Sequence, residues 1–194
     1  MTESGTIIVP PHRPRLIEQS EVGPVVARLR SIPDDRVISG LNAQAEVDPK
    51  AGIVIVHLPD IETVTTYKGS YHFHSALIKP SNPKEPNFVL PHVHEVGQEP
   101  YRMVLGEGGE MNVGRIVDGR VVWETPFAVQ AKDEVNVLEG QVHSLRNTGN
   151  EAFIFTFACP DSHLINKTLE NPAGDRVFTT DLPNGTPPQY PIKA

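Results

Sequence analysis

The chain has 194 residues, with 17 basic against 24 acidic side chains and a net charge of −7. That length suits one domain with a substantial core, and the acidic balance argues against nucleic acid or an anionic membrane as a partner, since both need a basic patch. One cysteine, Cys159, excludes an intramolecular disulfide framework, while apolar runs too short to span a bilayer and an N-terminus without signal-peptide regions predict a cytoplasmic protein.

In chain order, residues 1–15 carry Pro10, Pro11 and Pro14 and read as an extended arm, because each proline fixes φ and removes a donor. An arm of this kind would lie across a neighbouring subunit, which predicts a homodimer. Val25, Val26, Leu29 and Ile32 recur at helical spacing behind Gly23 and Pro24, so a short helix is expected over about residues 22–31, packed on the outside of whatever follows. From Gly52 on, β-branched runs separated by turn residues take over. Strands are expected over 53–58, 61–67 and 70–79, the last two joined at Lys68-Gly69, and over 112–117 and 120–124, joined at Asp118-Gly119 with Trp123 on one face. A loop over 80–86 leads to a histidine-bearing strand. Further strands are expected over 134–138, 143–147 and 152–159, the last two turned at Gly149-Asn150. With 19 prolines and 15 glycines in the chain, this texture is all-β. About nine to eleven strands suffice for two sheets closing as a jelly-roll barrel. After Pro160 a short helix capped by Asp161 is expected to about residue 169, followed by a proline-rich tail.

The chemistry concentrates in two stretches. The first, LPHVHEVGQEPYRMVLG over residues 90–106, carries His92, His94 and Glu99; the second, GQVHSLRN over residues 140–147, carries His143. Two histidines at i and i+2 in an extended segment send both imidazoles to one face, with Cα atoms roughly 6–7 Å apart. Glu99 follows His94 after a spacer of four residues that includes Gly97, which lets the chain turn back to the same point. His143, set in its own apolar run, is the candidate fourth ligand. Three imidazoles and a carboxylate suit a divalent transition ion; Fe(II) is favoured, and Mn, Co, Ni, Cu or Zn match the same donors.

This pattern resembles the cupin superfamily of small β-barrels. The first cupin motif is H-x-H, three or four residues, E, six residues, G, as in His92, His94, Glu99 and Gly106. The second is P-x-G, two residues, H, three residues, N, matched by Gly140, His143 and Asn147, with Leu138 at the proline position and Pro86 at a glycine position of the first motif. The resemblance covers about residues 70–160. It implies an all-β cupin jelly-roll barrel with short peripheral helices and extended termini: one domain over 1–194, its barrel core at about 45–160, an N-terminal arm and short helix over 1–44, and a C-terminal extension over 161–194. It also implies that the metal ligands lie on the inner face at the open mouth.

Around the ligands, alternation places Tyr101, Met103 and Leu105 on the same face as Glu99, making Tyr101 the polar group expected beside the metal and, with Glu99, the candidate catalytic residue. His72 and His74 form a second H-x-H without a following glutamate at the motif spacing; a structural or exposed role is expected. Arg146 alternates away from His143 toward the surface. Phe153, Phe155 and Phe157 share a face that continues to Cys159, expected to be a buried thiol, and that face becomes an apolar wall for substrate if it lines the barrel.

Cupins include dioxygenases, decarboxylases, isomerases, lyases and binding domains, so the resemblance leaves the reaction open. The favoured expectation is an Fe(II)-type dioxygenase in which a small chelating oxygenated substrate and O2 take two open metal positions. The alternative is a non-redox isomerase or lyase of a hydroxy-carbonyl compound. The chain is also similar to cupin-type phosphoglucose isomerases in length, in Glu99-Pro100-Tyr101 followed by GEGGEM, and in His163. It departs from them in its shorter spacer before Glu99 and in Ser144-Leu145-Arg146-Asn147 after the last ligand. A non-catalytic metal- or ligand-binding cupin is the third expectation.

Overall fold

The computed structural model describes residues 22–81, 87–94, 96–118 and 120–160, and the backbone of 176 and 177. The expected arm over 1–15, the helix after Asp161, His163 and, apart from 176 and 177, the proline-rich tail lie outside the described residues.

The chain enters through helix α1 (Gly23–Arg30), close to the expected span, with Pro24 in its first turn, where a missing N–H costs nothing. Its stripe of Val25, Val26 and Leu29, continued by Ile32, is buried. A second helix, α2 (Asp34–Val47), was not expected from the sequence. Only Val37 and Leu41 on it are buried, and Gly40 interrupts it, so its apolar stripe is one helical turn long and gives little periodicity to detect. Its start is marked instead by Pro33 and by Asp34 and Asp35 in the first turn, where carboxylates meet the positive end of the helix dipole. Arg102 pairs with Asp34, and Arg30 forms a two-pronged ion pair with Glu134 at 2.7 Å, fixing the helices to the barrel. No helix among the described residues is long and apolar enough to cross a membrane.

Twelve strands among the described residues form two antiparallel sheets. Sheet I runs β1 (Ile53–His57), β3 (Gly69–Ile78), β11 (Phe153–Pro160), β5 (Glu99–Leu105) and β9 (Glu134–Val137), with β2 (Val64–Thr66) also paired to β3. Sheet II runs β12 (Arg176–Val177), β4 (His92–Val93), β10 (Val142–Asn147), β6 (Gly109–Val117) and β7 (Arg120–Trp123), with β8 (Phe127–Val129) on β6. From β3 to β6 the chain switches sheet at each strand, and it does so again from β9 to β11. Early strands pair with late ones, β3 and β5 with β11 and β4 and β6 with β10, which is the double winding of a jelly roll. The two-residue Tyr67-Lys68 turn closes β2 on β3, with Gly69 at φ +118, and Asp118 at φ +49 opens the turn between β6 and β7.

Two cores result, one on each side of sheet I. Tyr71, Phe73 and Leu77 of β3, Val104 of β5, and Ile154 and Ala158 of β11 face the helices; Ala76, Ile78, Tyr101, Met103, Phe153, Phe155, Phe157 and Cys159 face sheet II, where Met111, Val113 and Leu145 meet them. Covering both faces explains why β11 is buried at every residue. The phenylalanine face is therefore the barrel interior, and Cys159 is a buried thiol on it. One alternation ends early. Leu105 does not share the buried face of Tyr101 and Met103 but is 43% exposed, because the ladder between β5 and β11 shifts register at Ile154/Phe155 and the chain turns out at Gly106, φ +101.

Candidate metal centre

His92, His94, Glu99 and His143 converge: one ligand atom from each lies within 4.8 Å of every other, and all four residues are buried. Sheet II contributes the imidazoles and sheet I the carboxylate. His92 of β4 stands directly across from His143 of β10, with ring centroids 4.1 Å apart. His94 follows β4, and its carbonyl accepts from the N–H of Gly140, whose φ of +76 turns the chain into β10. Both cupin-type motifs are thereby tied to each other by backbone.

The chain must then cross from His94 to Glu99 at the head of β5. Gly97 makes this turn at φ +83, a conformation glycine adopts without strain, and a Cβ there would stand 3.0 Å from both the Tyr71 hydroxyl and Pro160 Cγ. The turn is held from both sides: the Tyr71 hydroxyl accepts from Gln98 N–H at 3.1 Å, and Glu139 accepts from Gly97 N–H at 3.0 Å and from Lys68 at 2.8 Å. The Lys68 contact holds the Glu139 carboxyl below its ordinary pKa against the opposing effect of burial. Sequence reasoning missed Tyr71, Lys68 and Glu139, which are distant in sequence from Gly97 and carry no motif.

Glu99 Oε2 lies 2.6 Å from His94 Nε2, 2.9 Å from His143 Nε2 and 3.9 Å from His92 Nε2. Ligand atoms about 2.0–2.2 Å from a shared ion stand about 3 Å apart when adjacent and about 4.2 Å apart when opposite, so the cluster has the dimensions of a coordination shell. Protonation supports the same reading. His92 Nδ1–H donates to the Leu90 carbonyl at 2.7 Å and His143 Nδ1–H to the Gln141 carbonyl at 3.2 Å, which leaves each Nε2 with a lone pair turned into the cluster. Burial is the largest influence on His143 and keeps its imidazole below the usual pKa, outweighing the pull of Glu99. Neutral His143 therefore presents a lone pair to a carboxylate oxygen at 2.9 Å, an arrangement of two acceptors that a cation between them satisfies. The residues fit a divalent ion of the transition series.

Tyr101 is buried beside this cluster, its ring centroid 6.1 Å from that of His143, 5.7 Å from Phe155 and 5.8 Å from Phe157. Met103, Val135 and Val137 continue the apolar lining. Asn147, the last residue of the second motif, is structural: its amide donates to the carbonyls of Ile78 at 3.0 Å and Glu151 at 2.7 Å. Arg146 lies outside the site, paired with Glu110 at 2.7 Å on the outer face of sheet II. His72 and His74 face the barrel side of β3, two strands away from β5, and do not join the four.

The cupin resemblance holds for strand winding and for ligand convergence. No protein-family profile matches the chain, and no curated protein does. Solved structures with a similar fold include an oxalate oxidase in complex with glycolate (16% identity, TM-score 0.42, covering 56% of this chain and 51% of that one). Others are oxalate decarboxylase from Bacillus subtilis (18%, TM-score 0.43, 66% and 27%) and a cupin-2 domain from Rhodospirillum rubrum (16%, TM-score 0.42, 57% and 60%). The chain thus spans about half the length of the oxalate oxidase and about a quarter of the decarboxylase.

Proposed function

We propose that the protein is a metal-dependent oxygenase of the cupin type, an Fe(II)-type dioxygenase acting on a small chelating oxygenated compound. The observation that carries this reading is the donor set, three imidazoles and one carboxylate buried at one end of an aromatic interior. Fe(II) held by His92, His94, Glu99 and His143 would supply one-electron chemistry and two further coordination positions, enough for both oxygens of a chelating substrate or for one substrate oxygen beside O2. The chain's own residues do the rest. Glu99 balances one unit of the ion's charge, and the backbone carbonyls of Leu90 and Gln141 hold His92 and His143 in the tautomer that binds. Phe155, Phe157 and Met103 exclude water, which strengthens every polar contact to a bound substrate. Tyr101 is the polar side chain placed to orient a substrate oxygen or to hand it a proton.

The alternative is a non-redox isomerase or lyase in which the ion polarises a hydroxy-carbonyl compound while Tyr101 assists proton transfer. A phosphorylated sugar fits it poorly, because no Lys or Arg is among the buried residues of the described chain, and phosphate sites are built from such donors. Metal-free protein reloaded separately with Fe(II), Mn(II), Ni(II) and Zn(II), then offered enolic, phenolic and hydroxy-carbonyl compounds, decides between them. The expected result is O2 consumption with the Fe(II) form and none with the Zn(II) form. Equal turnover by the Zn(II) form without oxygen would overturn the dioxygenase reading in favour of isomerase or lyase chemistry.

A further inference from the structure

A second group of imidazoles stands on the inner face of sheet I. His57 of β1 is the direct cross-strand partner of His74 on β3, and their ring centroids are 4.9 Å apart; His72, two residues before His74 on the same face, has its ring 6.1 Å from that of His57. We propose that His57, His72 and His74 form a second cation site, selective for a borderline transition ion such as Zn(II) or Cu(II).

The argument is geometric. Two imidazoles on one ion, each with its nitrogen about 2.0–2.1 Å from the metal, place their ring centroids roughly 4.5–5.2 Å apart. In the buried centre the three separations are 4.1, 4.9 and 5.0 Å. The His57–His74 pair already has this spacing, and the His57–His72 pair at 6.1 Å needs about one ångström of closure. His57 is exposed on β1, at the end of sheet I, so a rotamer change is open to it where a packed ring could not move. His92 and His94 show that an i, i+2 pair on this chain brings its rings to 4.9 Å. The shared face of His72 and His74 follows from alternation, and His74 is held in place by stacking on Phe157 at 5.1 Å.

The donor chemistry sets the class of ion. Three imidazole nitrogens favour Zn(II), Cu(II) or Ni(II) over Mg(II), Ca(II) or Mn(II). The position sets its independence. β3 and β5 are separated by β11, two strand spacings or about 10 Å, whereas ions that share a reaction stand about 3.5–4 Å apart. The second ion would bridge β1 to β3, pinning the end strand of the sheet.

Zn(II) titration of the full-length metal-free protein, followed by calorimetry and by Co(II) absorption, tests this. Wild type is expected to bind two equivalents, and His57→Ala with His72→Gln one. His92→Ala with His143→Ala is expected to keep the second site, and adding His57→Ala to that variant should weaken the remaining equivalent at least tenfold. Circular dichroism checks folding, and the His57→Ala, His72→Gln comparison serves alone if the buried-site variant does not fold. One equivalent in wild type, or two equivalents unchanged by the substitutions at His57 and His72, would overturn the proposal.

Discussion

Replacing Glu99 by Gln should stabilise the metal-free protein while weakening its hold on metal. In the metal-free protein Glu99 is 1% exposed, and of the imidazoles around it His143 and His92 donate their Nδ1 protons to backbone carbonyls. Among these three imidazoles that leaves His94 to donate, at 2.6 Å. One charge-assisted hydrogen bond returns about 1.5–3 kcal/mol, against several kcal/mol for burying a carboxylate. The neutral isostere removes that charge, and its amide can donate to His143 Nε2. Metal-free Glu99→Gln should therefore be more stable than metal-free wild type by about 1–3 kcal/mol, a rise in Tm of roughly 2–12 °C for a chain of this size. The metal-loaded form should lose affinity at least tenfold, which is about 1.4 kcal/mol or more. Thermal unfolding at pH 7.5, with chelator and then with saturating Zn(II), reads both effects. A metal-free variant less stable than wild type would refute the reasoning, because it would mean that hydrogen bonds alone satisfy the carboxylate.

Further outcomes follow from the same geometry. His143 has a folded-state pKa below its ordinary value of 6.5, so the unfolded chain takes up the proton first as the pH falls. Its contribution to the metal-free protein is fully present above that value and is lost below it, and urea midpoints at pH 7.5 and 5.5 should show the decline. Tyr101→Phe should lower kcat about 10- to 100-fold with unchanged metal content if its hydroxyl meets the substrate; steady-state assay with metal analysis checks it, and an unchanged kcat would make Tyr101 a packing residue. Gly97→Ala should lower metal affinity more than it lowers Tm, since the turn that delivers Glu99 has φ +83 and a Cβ would press on Pro160 and the Tyr71 hydroxyl; calorimetry of binding beside thermal unfolding separates the two. Light scattering at micromolar concentration should give a homodimer, and removing residues 1–15 should weaken association without loss of metal.

Much of the centre was legible because its signals are local. His92 and His94 lie two residues apart, Glu99 follows within one turn, and His143 sits in its own short strand, so alternation and one glycine sufficed to bring them together. Strand β10 and the β6–β7 and β2–β3 hairpins were readable for the same reason, whereas β8 and β12 of sheet II were not expected. What escaped was set by packing across the fold. Helix α2 is held by Val37 and Leu41 and by the Arg102–Asp34 pair, none of which produces a long periodic stripe. Leu105 turned outward because the β5–β11 ladder shifts register there, with Leu105 and Met103 opposite the adjacent residues Ile154 and Phe155, which breaks the simple alternation along β5. Whether His72 and His74 face inward depended on which side of β3 the helices cover, a fact that resides in Tyr71, Phe73 and Leu77 packing under α1 and α2.

That division has a consequence for how the centre is held. The imidazoles belong to sheet II and the carboxylate to sheet I, so the cluster spans the two layers rather than resting on one. Each layer orients its own donors independently. Gln141 and Leu90 fix two rings within sheet II, while Tyr71 and Glu139 fix the turn that leads to Glu99. Tyr71 is at the same time fully buried in the core beneath the helices. The helical layer on the far side of sheet I thus meets the ligand turn through Tyr71, which shares its core with Val25, Val26 and Leu29, and meets β5 itself through the Arg102–Asp34 pair. A helix pair with no residue in the centre therefore packs on a side chain, Tyr71, that holds the turn leading to its carboxylate.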